Sequence, residues 1–401
     1  MIHPSDHRLA LTGMTAAMVL TVFAIFSAGS TTHGFVAYYG AARLLAAGQL
    51  GPMAYDDRWF GQFVQEITNS SVREIFSPNP PTMALMALPV AGLGPSAARA
   101  VWLAGSLTAF VVAIAALARH QDRRGAPIPV PVLLLMLLAP AVFTNLRIGQ
   151  GYLLVFALFT LAVTSFARGR DGRGGAALGL LLGLKTSGTA LVVVLLMQRR
   201  WRANLIAGAV AAGIALAVTP FIDATMWMQF PAVVRDFIQR PSGSVTAYQT
   251  TLSLARRLCI ADPMWNPSPA LSCEPVAFVV PNLLLGAALV ATIALVRRSP
   301  RGEPSLAAGT TLSLLALPAS AEVHFVLLAI PLALLKLRPL EFAAVAALMI
   351  VPLEITAERF TSGWWTLLAY PRLYAAWLLW AASVRNMVEG NRRPASIDAR
   401  H

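Results

Sequence analysis

The chain has 401 residues, 57% of them hydrophobic and only 12% charged, with a mean hydropathy of +0.65. A soluble domain carries about a quarter charged residues, so this composition excludes an ordinary soluble protein and points to a polytopic membrane protein. The formal charge of +13 does not call for nucleic acid: the arginines punctuate apolar runs and form no continuous basic stripe, a pattern that topology and membrane-lipid headgroups explain.

The N-terminal MIHPSDHR precedes an apolar run at 9–28 that lacks a small-residue cleavage site, which predicts an uncleaved first helix. With the N-terminus inside, that helix delivers a long segment, 29–97, to the outer face. Helical stretches are expected there at 35–47 and 57–67. Pro78, Pro80 and Pro81 then break the chain, and 82–93 is apolar but too short to span. The 98–118 run ends at Arg119, Arg123 and Arg124 and so crosses inward. Runs at 130–144 and 152–167 make two short arms, joined by a polar link at 145–150 that is expected to dip into a cavity.

Lys185, one of two lysines in the chain, lies near the middle of the next apolar run, 176–197. A charge at a helix centre in lipid costs roughly 2.5 to 3.5 kcal/mol, so such a residue faces a cavity or a partner. Arginines flank the run on both sides: Arg168, Arg170 and Arg173 before it, Arg199, Arg200 and Arg202 after it. Together with the break at Lys185-Thr-Ser187-Gly188, they predict two half-helices that enter and leave on the inner side. A crossing at 203–222 leads to a second outer segment, 223–276. Further crossings are expected at 277–296, 305–317, 324–335, 340–355 and 364–384, with basic inner links at 297–301 and 336–338 and a basic tail at 385–393. The expectation is one all-α transmembrane bundle over 1–401, of roughly 11 to 13 helices with half-helices counted.

Four groups of residues could carry chemistry. Asp56 and Asp57 sit where an outer carboxylate could act as a general base, or where a helix needs an N-cap. Asn145, Arg147, Gly149 and Gln150 combine amide donors and acceptors, a close approach and a phosphate fork, or satisfy a tight turn. Glu322 and His324 sit at another outward turn, where His324 could donate to phosphate or relay a proton, or the pair could anchor a helix start. Lys185 could hold the phosphate of a lipid-linked substrate; its reach of about 6 Å is short for snorkelling from mid-run. Cys259 and Cys273 lie in one polar loop, where a disulfide would contribute roughly 3 kcal/mol; two unpaired thiols are the alternative. No HExxH, CxxC or Asp-rich cluster is present, so no metal centre is expected.

Taken in order, several stretches resemble a known family. They are Val36-Ala-Tyr38-Tyr39 through Gly48, Ala54-Tyr55-Asp56, Phe76-Ser-Pro78-Asn-Pro80-Pro81, Trp102, Asn145 to Gln150, Gly179-Leu-Leu-Leu-Gly183-Leu-Lys185, and Pro318 to His324. The chain resembles the membrane glycosyltransferases of GT-C type in family 87, a group that contains polyprenyl-phosphomannose-dependent α-1,2-mannosyltransferases of bacterial envelopes. The resemblance implies transfer of a hexose, mannose first, from a polyprenyl-phosphate donor to a glycolipid or glycan hydroxyl. It also implies inversion, the outer face of the cytoplasmic membrane as the place, and no cofactor. Lys185, Arg147, His324 and Arg256 would then serve the phosphate, with Asn145, Gln150 and Glu322 positioning the donor. Family members usually place an acidic residue before the aromatic helix, where this chain reads His33-Gly34-Phe35. Asp56, Asp57 or His33 is expected to act as base instead. Ala321 and Val323 replace a Trp and a His of the turn, and Thr186 replaces a Pro. A lipid or glycan transporter, or an inactive member, are the alternative readings.

Overall fold

A computed structural model describes residues 4–298 and 302–392. Ser299, Pro300 and Arg301 of one basic link and Arg393 of the tail lie outside the described residues. Every named element among the described residues is helical, and pairing of strand type is limited to two isolated bridges. Four helices are long and apolar enough to cross a membrane: Pro95–Asp122, Val130–Ile148 (with a break), Trp201–Phe221 and Glu274–Arg298. Two of them turn large apolar side chains outward, such as Leu205, Leu216, Leu283 and Val290. An all-round apolar surface of that kind is what a lipid environment requires.

Several expected elements form with shifted ends. The stretch expected at 35–47 is Phe35–Ala46, and 57–67 is Asp57–Thr68, closed by Asn69 in the left-handed region. The apolar 82–93 stretch is a 3-10 segment, Pro81–Val90. The arm expected at 130–144 breaks instead at Ala139, which is extended because Pro140 disfavours a helical residue before it. Pro140 then opens a new helix, Pro140–Ile148, ended by Gly149 at φ 67. Asn145 and Arg147 are therefore helical, not part of a link.

The Lys185 run forms two helices, Asp171–Lys185 and Thr189–Met197, split at Thr186 (φ 50) and Gly188 (φ 95). Gly175, Gly179 and Gly183 recur every four residues on one face of the first. A Cβ on Gly175 would stand 2.5 Å from the carbonyl oxygen of Ala203, and one on Gly179 would stand 2.6 Å from that of Ala207. Glycine opposite alanine brings two backbones together, the packing that holds helices in lipid where apolar burial gives no drive. The strut made this way runs about 22 Å, and Lys185 stands at its tip. Tyr152–Ala167 runs beside it and Glu303–Leu315 packs on the following helix, Thr189–Met197, so the bundle has a basic end, near Arg168 and Arg200, and an opposite end where a cavity opens.

Candidate active site

The cavity holds about 320 Å³ at the Lys185 end of the bundle. Its walls come from the Phe35–Ala46 helix (Tyr38), the 74–83 stretch (Glu74, Asn79, Met83), the turn after the broken arm (Gln150), the start of the Tyr152–Ala167 helix (Tyr152), the strut (Lys185, Thr186) and the 318–324 turn (His324). The Thr225–Gln239 helix adds Phe230, Val234 and Phe237.

Lys185 Nζ donates to Asn79 Oδ1 at 2.7 Å, and it lies 5.2 Å and 5.5 Å from the ring centroids of Tyr38 and Tyr152. Two aromatic faces and one amide oxygen stabilise an ammonium without neutralising it. No carboxylate ion-pairs with Lys185 among the described residues, so the charge is left for an anion. Its helix ends at Thr186, whose φ of 50 is costly for a β-branched residue and unreachable for proline. The replacement of proline at that position thus accompanies a left-handed turn that brings Thr186 onto the cavity wall.

Gln150 Oε1 accepts from the Tyr38 hydroxyl at 2.9 Å, and burial, with help from the charge of Glu74, raises the Tyr38 phenol above its ordinary pKa. His324 packs on Tyr152 with centroids 4.0 Å apart. Its Nδ1 stands 3.1 Å from the Ala321 carbonyl oxygen, which can only accept, so Nδ1 carries a proton and Nε2 is the atom left for a ligand.

Among the described residues Glu74 is the one carboxylate on the cavity wall, and the sequence reading missed it. Its Oε2 accepts the Gly34 N–H at 2.7 Å and its Oε1 accepts the Ile75 N–H at 3.0 Å. A carboxylate has about four lone-pair positions, so two remain for a substrate. Gly34 is at φ 86, and a Cβ there would meet the Ile148 carbonyl oxygen at 2.8 Å. The position just before the aromatic helix thus has no room for a side chain, and Glu74, 40 residues later, brings its carboxylate there. Across the cavity Tyr248 is raised above its ordinary pKa, first by burial, then by the charge of Glu74, with Arg240 opposing.

The other candidates lie elsewhere. Asp56 is exposed and caps its helix, accepting from the Arg58 and Trp59 N–H groups at 2.9 Å each. Asp57 uses one oxygen for the Ser77 hydroxyl at 2.7 Å and the other for Arg240 Nη1 at 2.6 Å. His33 points to solvent, its Nδ1 3.8 Å from Glu74 Oε2. Arg147 is exposed and absent from the cavity lining. Asn145 is buried and donates to Ala141 and Val323 carbonyls at 2.8 Å, which ties the broken arm to the 318–324 turn. Glu322 is held by Arg372, which is 1% exposed, through contacts of 3.0 and 2.5 Å. Arg256 gives its guanidinium to carbonyls at the end of the Thr225–Gln239 helix, 2.7 Å from Ile238 and 2.6 Å from Arg240; burial lowers its pKa. Cys259 and Cys273 form a disulfide close by. Asp57, Arg240 and Arg256 therefore tie down the helix that walls the cavity, and none of the three is part of the cavity lining.

The family model for glycosyltransferase family 87 matches residues 76–318, more than half of the chain, and the protein belongs to that family. It is therefore a glycosyltransferase. Asn79, Gln150 and Lys185 fall inside the matched stretch, while Glu74 and His324 lie just beyond its two ends. No curated protein and no solved structure matches the chain.

Proposed function

We propose that the protein transfers a hexose, mannose being the first expectation, from a polyprenyl-phosphate donor to a hydroxyl of a glycolipid or glycan. The observation that carries this reading is a single cavity holding a carboxylate with free lone pairs, Glu74, and an ammonium with no acidic partner, Lys185. Lys185 receives the phosphodiester of the donor, with His324 Nε2 beside it. Gln150, fixed by Tyr38, orients the sugar. The acceptor hydroxyl gives its proton to Glu74 while its oxygen bonds to the anomeric carbon. The bond from that carbon to the phosphate oxygen breaks, and polyprenyl phosphate leaves with the electron pair, stabilised by Lys185. Attack from the Glu74 side, opposite the leaving phosphate, inverts the anomeric centre.

Basic residues gather at the end of the bundle away from the cavity, and the positive-inside tendency then supports a cavity on the extracytoplasmic face of a bacterial cytoplasmic membrane. Purified protein given polyprenyl-phosphomannose and membrane lipids should release polyprenyl phosphate and form a new glycolipid. Absence of product with every polyprenyl-phosphate sugar, or product from a nucleotide sugar alone, would overturn the reading.

A further inference from the structure

At the basic end, about 20 Å from Lys185 along the strut, a second crevice of about 430 Å³ opens. It lies between the starts of three helices, Asp171–Lys185, Trp201–Val218 and Glu303–Leu315, and none of the three is capped by a side chain. Three helix dipoles thus direct their positive ends at one volume. The two carboxylates there are already paired: Asp171 with Arg200 at 3.1 Å, and Glu303 with Arg124 at 2.8 Å, while His120 Nε2 donates a hydrogen bond to Glu303 at 2.6 Å. Arg199 also lines the crevice and has no partner among the described residues.

Gln198 supplies an independent indication of a ligand. It is 4% exposed and lines the same crevice, yet its Oε1 is buried without a hydrogen-bond partner among the described residues. The amide orientation is set by chemistry. Ser305 Oγ donates its only proton to the Gly302 carbonyl at 2.7 Å, so toward Gln198 it can only accept, and Nε2 must be the atom 2.7 Å away. The remaining Oε1 requires a donor, which a phosphate diester lacks and a hydroxyl provides. Trp201, largely exposed at the start of its helix, marks this end as the level of a membrane interface.

We propose that this crevice binds a hydroxyl-bearing phosphodiester, the chemistry of an anionic phospholipid headgroup such as phosphatidylglycerol. The phosphate meets Arg199 and the helix starts, and a headgroup hydroxyl donates to Gln198 Oε1. The site is separate from the transfer cavity, so its test does not depend on glycosyl transfer.

The test titrates purified protein in neutral detergent with three lipids of identical chains and reads binding by native mass spectrometry: phosphatidylglycerol, phosphatidylmethanol and phosphatidylcholine. Phosphatidylglycerol should bind about fivefold tighter than phosphatidylcholine, the scale of one basic residue at a membrane surface. Phosphatidylmethanol, which keeps the charge and lacks the hydroxyls, should fall between them. Arg199→Gln should bring phosphatidylmethanol down to the level of phosphatidylcholine, with phosphatidylglycerol keeping only its hydroxyl preference. Gln198→Leu should erase only the preference over phosphatidylmethanol, and it remains informative if Arg199→Gln does not fold. Competition by free glycerophosphoglycerol would support the same chemistry with a soluble source. Equal binding of all three lipids, or a preference unchanged in both variants, would overturn the proposal.

Discussion

Gly34 and Glu74 are joined by a hydrogen bond of 2.7 Å from backbone N–H to carboxylate, across 40 residues of chain. The bond brings an acid to the entrance of the aromatic helix, at a residue that cannot carry a side chain of its own. It also separates Glu74 from Asp56 and Asp57 in function, since Glu74 lines the cavity while Asp56 caps its helix and Asp57 pairs with Arg240 outside the lining.

Glu74→Gln should lower transfer by about 10²- to 10⁴-fold, the usual contribution of a general base, with binding of polyprenyl phosphate retained. Asp56→Ala should instead cost about 1 kcal/mol of stability, the value of an N-cap, and leave turnover unchanged. Product formation and thermal unfolding on both variants separate the two roles. Full activity in Glu74→Gln would remove the carboxylate from the reaction.

Lys185→Met should weaken polyprenyl-phosphate binding by about tenfold to a hundredfold, as loss of a charge-assisted hydrogen bond of roughly 1.5 to 3 kcal/mol implies. The melting temperature should not fall, because the variant removes a charge that no carboxylate balances. Equilibrium binding with a fluorescent polyprenyl phosphate reads the first effect, and a melting curve reads the second.

Asp57 and Arg240 connect the two long segments that wall the cavity, 183 residues apart. Each side chain is about one-third exposed, so the coupling between them should be about 0.2 to 1 kcal/mol in a double-mutant cycle. Asp57→Asn and Arg240→Gln should each raise the KM for the acceptor, and the double variant should be no worse than either single one. Additive losses would show that the residues act apart.

Gly179→Ala is expected to destabilise the protein by about 1 to 3 kcal/mol, because the added methyl meets Ala207 backbone oxygen and Val210 Cβ at 2.6 Å. Gly208→Ala, on the partner helix but with open space around it, is the matched control and should be neutral. Thermal unfolding of the two variants in the same detergent makes the comparison.

The sequence revealed some of these residues and hid others for physical reasons. Lys185 was legible because a lone charge in an apolar run is costly wherever the chain goes, so its position alone demands an explanation. The arginines on both flanks and the Lys185-Thr-Ser187-Gly188 break located the half-helix pair around it. Glu74 was not legible: it lies in a polar stretch where a charge costs nothing, and only the fold brings it to Gly34. The 145–150 link was misplaced because proline geometry at Ala139–Pro140 breaks the arm earlier than hydropathy alone indicates. Arg256 and Glu322 have the right chemistry for a substrate, but arginines and carboxylates serve backbone carbonyls and each other equally well, and sequence does not distinguish those uses.

The glycine–alanine contact beneath Lys185 bears on how this enzyme can change its substrates. A helix seated backbone against backbone has no side-chain slack, so Lys185 at its tip tolerates little drift. The wall that includes Glu74, Tyr248 and the Thr225–Gln239 helix is held instead by side-chain hydrogen bonds, those of Glu74 and Arg256, and by the half-buried Asp57–Arg240 pair. Substitutions on the Thr225–Gln239 side should therefore change the cavity's shape more readily than substitutions on the buttressed strut.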